Sequence, residues 1–298
     1  MLFSSSNMNL KHTLILILAA IACSTGYAGT IDEVFRHDEI TVDLWSDGFP
    51  NSNGIDYNDP GIDRSRHLTP QMHVYTVKDE RPTKAVILCP GGAYGGLAIT
   101  HEGYMWRPFF EREKVATIVL AYRLPCDHHD VPASDVYQAM RLVKKHAAEW
   151  NIDPDQIGIM GFSAGGHLAS TVATHAPADV RPAFQILFYP VISMKDGLTH
   201  WWSRRNLLGE KQPQELLTLY SNELQVTKDT PRAYIIHADD DGDVPVLNSV
   251  LYYEALQRNR VPSVLYVVPS GGHGFGIKGS FKYHELMLNT LSDWLHTF

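Results

Sequence analysis

Cysteine is scarce in this chain of 298 residues, with three in all: Cys23, Cys89 and Cys126. Three thiols exclude a disulfide framework. A single Cys89–Cys126 bridge is disfavoured because Cys89 closes a run that reads as a buried strand. Positive charge is short as well: Lys and Arg number 25 against 33 Asp and Glu, a formal charge of −8. No basic stripe is available to neutralise phosphates, which excludes nucleic acid as a partner. Long apolar runs are missing too. The stretch Leu14 to Ala22 is too short to span a bilayer as a helix. No heptad array or internal repeat is present, so coiled coils and solenoids drop out. What remains is 44% hydrophobic and 19% charged, as in an ordinary globular protein, with length enough for one large core.

The amino terminus reads as an export signal. Lys11 and His12 precede the apolar stretch, and small residues at Gly26 and Ala28 predict cleavage after Ala28. The mature chain is therefore expected to be secreted or periplasmic. Ala20-Ile21-Ala22-Cys23 is similar to a bacterial lipoprotein box lacking its usual leading leucine, so lipidation at Cys23 is the alternative to soluble export.

Residues 29–70, rich in Gly, Pro, Asn and Asp, are expected to form an irregular lead-in. Gln71 to Val77 alternates as an antiparallel edge strand would. Ala85 to Cys89 and Val115 to Tyr122 are apolar on both faces, as interior parallel strands are. Further strands are predicted at 184–189, 233–238 and 263–268, and helices at 105–113, 134–150, 246–258 and 283–296. Residues 194–230 break this rhythm and read as a small insertion over the carboxyl edge of the sheet, where such sheets bind ligands. The alternation predicts one α/β domain over 29–298, a mostly parallel doubly wound sheet with helices on both faces.

Chemistry concentrates at Ile157 to Gly166, read as IGIMGFSAGG. A strand-like run enters Gly161-Phe162-Ser163-Ala164-Gly165, and helical spacing follows at Leu168, Ala169, Val172 and Ala173. G-x-S-x-G between strand and helix is the pattern of a sharp turn that exposes a nucleophilic serine. Side chains at the flanking positions would clash there. A plain Gly-Ser turn between two core elements is the alternative.

A serine needs a base, and the base needs a carboxylate; in α/β hydrolases they follow in the order serine, acid, histidine. His273 lies in the glycine-rich loop Ser270 to Gly276, directly after a predicted strand, and is the candidate base. The preceding strand ends in Asp239-Asp240-Asp241-Gly242-Asp243, and Asp241 is the candidate acid. A calcium loop would need a twelve-residue pattern with a terminal glutamate, which is absent. The Ala164 N–H is one expected oxyanion donor. Gly92 and then Ala93, in Pro90-Gly91-Gly92-Ala93-Tyr94-Gly95-Gly96, are candidates for the second. That loop lacks the Gly-Lys-Ser/Thr ending of a phosphate loop. Adjacent His128 and His129 point apart in an extended segment and read as a polar loop; no metal site is expected.

Taken together, these motifs resemble secreted bacterial α/β-hydrolase esterases of the acetylxylan esterase kind, with the PGGG-type oxyanion loop shared by hormone-sensitive-lipase-like esterases. The matching residues are Leu44 to Pro50, Pro90 to Tyr94, His101-Glu102-Gly103, Ala121 to Pro125, Gly161 to Ser170, Asp241-x-x-Val-Pro and Gly271 to Gly276. The resemblance implies Ser163 as nucleophile, Asp241 and His273 as its partners, and Gly92 with Ala164 as the oxyanion hole. Ala93 stands where the family often has a third glycine, and it still offers an N–H. The implied activity is removal of acetyl groups from plant-type polysaccharide, with no cofactor and an acetylated carbohydrate as partner. Tyr94, Trp106, Trp201 and Trp202 are candidates to stack on sugar rings, packing within the fold being the alternative. The rival functions are a general carboxylesterase or lipase for short acyl esters and a non-catalytic polysaccharide-binding protein.

Overall fold

Apolar strands set the middle of the fold. The structure, a computed structural model, describes residues 39–298; the expected cleavage after Ala28 and lipidation at Cys23 lie outside them. Strands β3 (Thr83–Cys89), β4 (Val115–Ala121), β5 (Ile152–Phe162), β6 (Phe184–Phe188), β7 (Arg232–Ala238) and β8 (Ser263–Val268) run parallel. With β1 (Ile40–Asp43) and β2 (Gln71–Tyr75) they make one sheet in the order β1-β2-β4-β3-β5-β6-β7-β8.

Side chains alternate across a strand, so each interior strand fills two cores. Ala85, Ile87 and Cys89 of β3 enter one cluster, while Val86 and Leu88 enter the other. Three helices cover the first face: α2 (Val131–His146), α3 (Ala164–His175) and α6 (Leu247–Arg258). Helix α2 meets that face with Val136, Ala139, Met140 and Val143, the i, i+3, i+4, i+7 stripe of an amphipathic helix. It starts three residues before the expected Ser134, because Pro132 fits the first turn, where no N–H is needed. Helices α1 (Arg107–Arg112) and α7 (His284–Leu295) cover the second face through Phe109, Phe110, Met287, Leu291 and Trp294. Burying each such side chain contributes about 1.5–3 kcal/mol.

Two expectations are corrected. The lead-in is not wholly irregular: Ile40–Asp43 forms β1, antiparallel to β2 from Ile40↔Val74 to Asp43↔Gln71. Strand β2 is therefore interior, paired to β4 on its other side and buried from Met72 to Tyr75. A strand buried on both faces needs its ladder satisfied on both edges, and the lead-in supplies the outer one. The rest of the lead-in is anchored by Arg123, which is 1% exposed. Its Nη2 donates to Asp135 Oδ1 at 2.7 Å and its Nη1 to the Asn51 carbonyl at 2.7 Å. The Trp45 indole donates to the same carboxylate at 2.8 Å.

Within 194–230 lie α4 (Trp201–Leu208) and α5 (Gln214–Leu219). Asn206 of α4 donates to the Ala93 carbonyl at 2.8 Å, and Tyr220 meets His129 Nδ1 at 2.7 Å. The insertion thus sits against loops that leave the carboxyl ends of β3 and β4. Residues 40–298 form one compact unit. No helix among the described residues is long and apolar enough to cross a membrane.

Candidate active site

The crossover order creates the site. From β3 the chain goes through α1, on one face, to β4; from β4 it goes through α2, on the other face, to β5. Strands β4 and β5 thus flank β3 on opposite sides, and the loops leaving β3 and β5 part at their carboxyl ends. That is the switch point at which open α/β sheets form a crevice. Cys89 pairs with Gly161 there, so the glycine-rich loop after β3 and the serine turn after β5 start side by side.

Ser163 adopts φ 52°, ψ −120° between β5 and α3, a conformation that costs a non-glycine residue about 1–3 kcal/mol. Its surroundings hold it there: its N–H donates to the Phe188 carbonyl at 3.0 Å, and its own carbonyl accepts from Val191 at 3.0 Å. A Cβ at Gly161 would lie 2.1 Å from the Gly165 carbonyl oxygen, and one at Gly165 only 2.0 Å from that of Cys89. Helix α3 can enter this tightly only with glycine at both places.

The three residues singled out by sequence meet. Ser163 Oγ lies 2.8 Å from His273 Nε2, and His273 Nδ1 lies 2.7 Å from Asp241 Oδ2. The carboxylate accepts through Oδ1 from the Asp243 and Val244 amides, both at 2.9 Å. Burial works to raise Asp241, but hydrogen bonds from His237 and His273 prevail and hold it well below the usual carboxylate range. It is an anion, so His273 carries its hydrogen on Nδ1 and presents Nε2 as acceptor to the serine hydroxyl. Ser163 is only 5% exposed.

The loop after β3 lies against the serine: a Cβ on Gly91 would come 3.0 Å from the Ser163 Cβ. Gly92, Ala93 and Tyr94 all have positive φ, at 131°, 55° and 56°. The amides of Gly92, Ala93 and Ala164 donate to no protein acceptor among the described residues. Three free N–H groups beside a nucleophile suit a developing oxyanion.

Two expected sugar contacts are corrected. Tyr94 is 2% exposed, and its hydroxyl meets His167 Nδ1 at 2.9 Å, so its ring faces the core rather than a ligand. Trp106 is fully buried among Phe109, Phe110, Phe162 and Phe188. Trp201 and Trp202 do stand in solvent, 48% and 59% exposed, their rings 4.7 Å apart and edge to face. His167 is wholly buried in α3. Its Nε2 donates to the Tyr220 carbonyl at 2.8 Å, and burial pushes it down to about 4.

Several contributors escaped the sequence reading. His237, wholly buried in β7, brings Nε2 within 3.1 Å of Asp241 Oδ2 and Nδ1 within 2.7 Å of Ser249 Oγ. The one hint was a polar residue in the apolar run Ala233 to Ala238. Asp240, an exposed neighbour of the acid, accepts from the Gly272 amide at 2.8 Å and steadies the histidine loop. Glu102 and Tyr189 join the oxyanion loop to that same loop; Glu102 stands in the His101-Glu102-Gly103 match without a role, and nothing in the sequence marks Tyr189. Cys89 and Cys126 are both free thiols. Among the described residues no three His, Cys, Asp or Glu side chains gather as metal ligands. His128 and His129 engage the Cys126 carbonyl and the Tyr220 hydroxyl.

The BD-FAE family profile matches residues 72–256. An acetylxylan esterase of Xylanibacter ruminicola is 44% identical over 221 residues, covering 72% of this chain and 46% of that protein. Endo-1,4-beta-xylanase B of Butyrivibrio fibrisolvens is 34% identical over 235 residues, 74% of this chain and 37% of that one. The chain thus spans less than half the length of these two curated relatives. An acetyl ester-xyloside bifunctional hydrolase from Caldicellulosiruptor lactoaceticus superposes with a TM-score of 0.75 at 33% identity, over 86% of this chain and 95% of its own.

Proposed function

This chain belongs to the BD-FAE family, with the α/β-hydrolase fold, and on that premise we propose that it is a serine carboxylic ester hydrolase that removes acetyl groups from xylan-type polysaccharide. The observation that carries the reading is the unbroken line of hydrogen bonds from Ser163 through His273 to Asp241, with the Gly92–Ala93 amides and that of Ala164 beside it.

Ser163 Oγ attacks the acetyl carbonyl carbon while its proton passes to His273 Nε2. The carbonyl oxygen becomes an oxyanion held by the Ala164 amide and that of Gly92 or Ala93, each donor worth about 3 kcal/mol of barrier. As the tetrahedral centre collapses, the bond to the sugar oxygen breaks. His273 gives its proton to that oxygen, leaving an acetyl group on Ser163. Water then attacks the acyl-enzyme, its proton goes to His273, and Ser163 leaves with that proton as acetate departs. Asp241 stays ionised throughout and stabilises the imidazolium.

Support for the substrate comes from the acetylxylan esterase and xyloside-hydrolase relatives and from the two exposed tryptophans, whose faces suit sugar rings. Export from the cytoplasm, through the amino-terminal signal, belongs to the same proposal because polymeric xylan is an extracellular substrate. The test is acetate release from acetylated xylan beside hydrolysis of acetyl, butyryl and octanoyl aryl esters, with Ser163→Ala as control. Acetate from xylan, with steep loss beyond acetyl, supports the proposal. Preference for long acyl chains with xylan untouched identifies a general esterase or lipase. No turnover of any ester would revive the non-catalytic reading.

A further inference from the structure

Glu102 is a buried carboxylate that the proposed mechanism leaves unused. It is 3% exposed, in the segment between the oxyanion loop and α1. Its Oε2 accepts from the Gly91 amide at 2.7 Å, one residue before the first expected oxyanion donor. Its Oε1 accepts from the Tyr189 hydroxyl at 2.8 Å. That hydroxyl oxygen in turn accepts from the Gly276 amide at 2.8 Å, in the loop that carries His273. The Tyr189 ring packs edge-on against the His273 imidazole, centroids 4.9 Å apart, and against Phe275 at 4.5 Å. Tyr189 itself holds φ 36° directly after β6, a left-handed conformation unusual for an aromatic residue. One carboxylate and one phenol therefore bridge three chain segments that meet around Ser163: the oxyanion loop, the end of β6 and the histidine loop.

We infer that Glu102 and Tyr189 are positioning residues that set the oxyanion loop and the His273 loop in register with each other. Neither touches the ester, and their effect is carried by where Gly92 and His273 sit. A buried carboxylate without such a task is costly, because burial raises it and an apolar side chain of equal size would avoid the penalty. The two ends of this bridge act on successive atoms of the same reaction, the oxyanion and the proton on His273. Loosening the bridge should therefore slow turnover rather than weaken substrate binding.

This inference rests on the serine-hydrolase reading, and the experiment separates the two. Ser163→Ala abolishing turnover of an aryl acetate in otherwise intact protein tests that reading by itself. With the reading in hand, Tyr189→Phe keeps the ring against His273 and removes the hydroxyl from both Glu102 and Gly276. It is expected to lower kcat by about 10- to 100-fold, with KM within about twofold of wild type. Glu102→Gln keeps an oxygen for Gly91 and offers an amide donor to the Tyr189 oxygen. It should retain kcat within about threefold, whereas Glu102→Ala should fall with Tyr189→Phe. If Glu102→Ala does not fold, the phenylalanine and glutamine variants carry the comparison. Wild-type kcat in Tyr189→Phe, a change confined to KM, or Glu102→Gln as impaired as Tyr189→Phe would each overturn the inference. The last result would mean that the negative charge, not the bridging geometry, is what matters.

Discussion

The carboxyl edge of the sheet and the insertion above it differ most in how deeply their residues are buried. At the edge, Ser163 and Asp241 are 5% and 9% exposed, and main-chain groups hold them: Phe188 and Val191 on the serine, Asp243 and Val244 on the aspartate. In the insertion, α5 buries none of its residues, and Trp201 and Trp202 stand in solvent. Its attachments mix side chains, Asn206 to the Ala93 carbonyl and Asn248 to that of Leu198, with main-chain bonds from the Asp127 amide to the Asn206 carbonyl and from the Asn222 amide to that of Ile192. Main-chain contacts do not change when a side chain does, so those made to Ser163 and Asp241 persist through most substitutions around them. Contacts made by side chains can be rewritten one at a time. Under the proposed function, bond making belongs to the edge and choice of polymer to the insertion.

The hardest blow to the edge is Ser163→Ala, which should cut kcat on any ester by at least about 10⁴-fold while the fold survives. Rates within tenfold of wild type would remove the edge from the chemistry altogether. Next comes Asp241→Asn. An amide still fills the space, but it can offer His273 an N–H and stabilise the wrong tautomer, so kcat should fall by about 10³–10⁴-fold with KM nearly unchanged. On the insertion side, Trp201→Ala and Trp202→Ala should raise KM for acetylated xylan by roughly tenfold, about 1.4 kcal/mol, and leave small aryl acetates untouched. Equal losses on polymer and aryl ester would collapse the distinction between the two regions.

The edge was far more legible in the sequence than its supports. G-x-S-x-G between a strand and a helix, an aspartate after one strand and a histidine in a glycine loop after the next are local patterns, and each fell where the sheet needed it. Strand β1 was hidden because a four-residue exposed strand has no apolar period to read. Tyr94 and Trp106 looked like ligand contacts because composition does not tell which way a ring turns. Tyr94 turned inward to His167 and Trp106 into a cluster of phenylalanines. The Glu102–Tyr189 and His237–Ser249 contacts join residues 87 and 12 positions apart. Such pairs follow from topology, and the topology follows from the whole chain.

The smallest expected effect is on stability, and it sets two buried carboxylates of the same edge against each other. Asp241 is held below its ordinary value of 3.8, so it favours the folded state above that pH and loses the contribution as pH falls toward its lower native value. Glu102 is raised by burial above its ordinary value of 4.5. Its sign is reversed: its contribution is complete below that pH and is lost as pH rises through its higher native value. Urea midpoints from pH 3 to 7 should therefore show Glu102→Gln gaining on wild type as pH climbs past 4.5, where wild type must ionise a buried acid and the amide has nothing to ionise. Asp241→Asn should show the opposite, a deficit near neutrality that shrinks below 3.8. Parallel curves for Glu102→Gln and wild type would mean that the Gly91 and Tyr189 hydrogen bonds offset burial completely, leaving Glu102 no harder to ionise than a carboxylate in water.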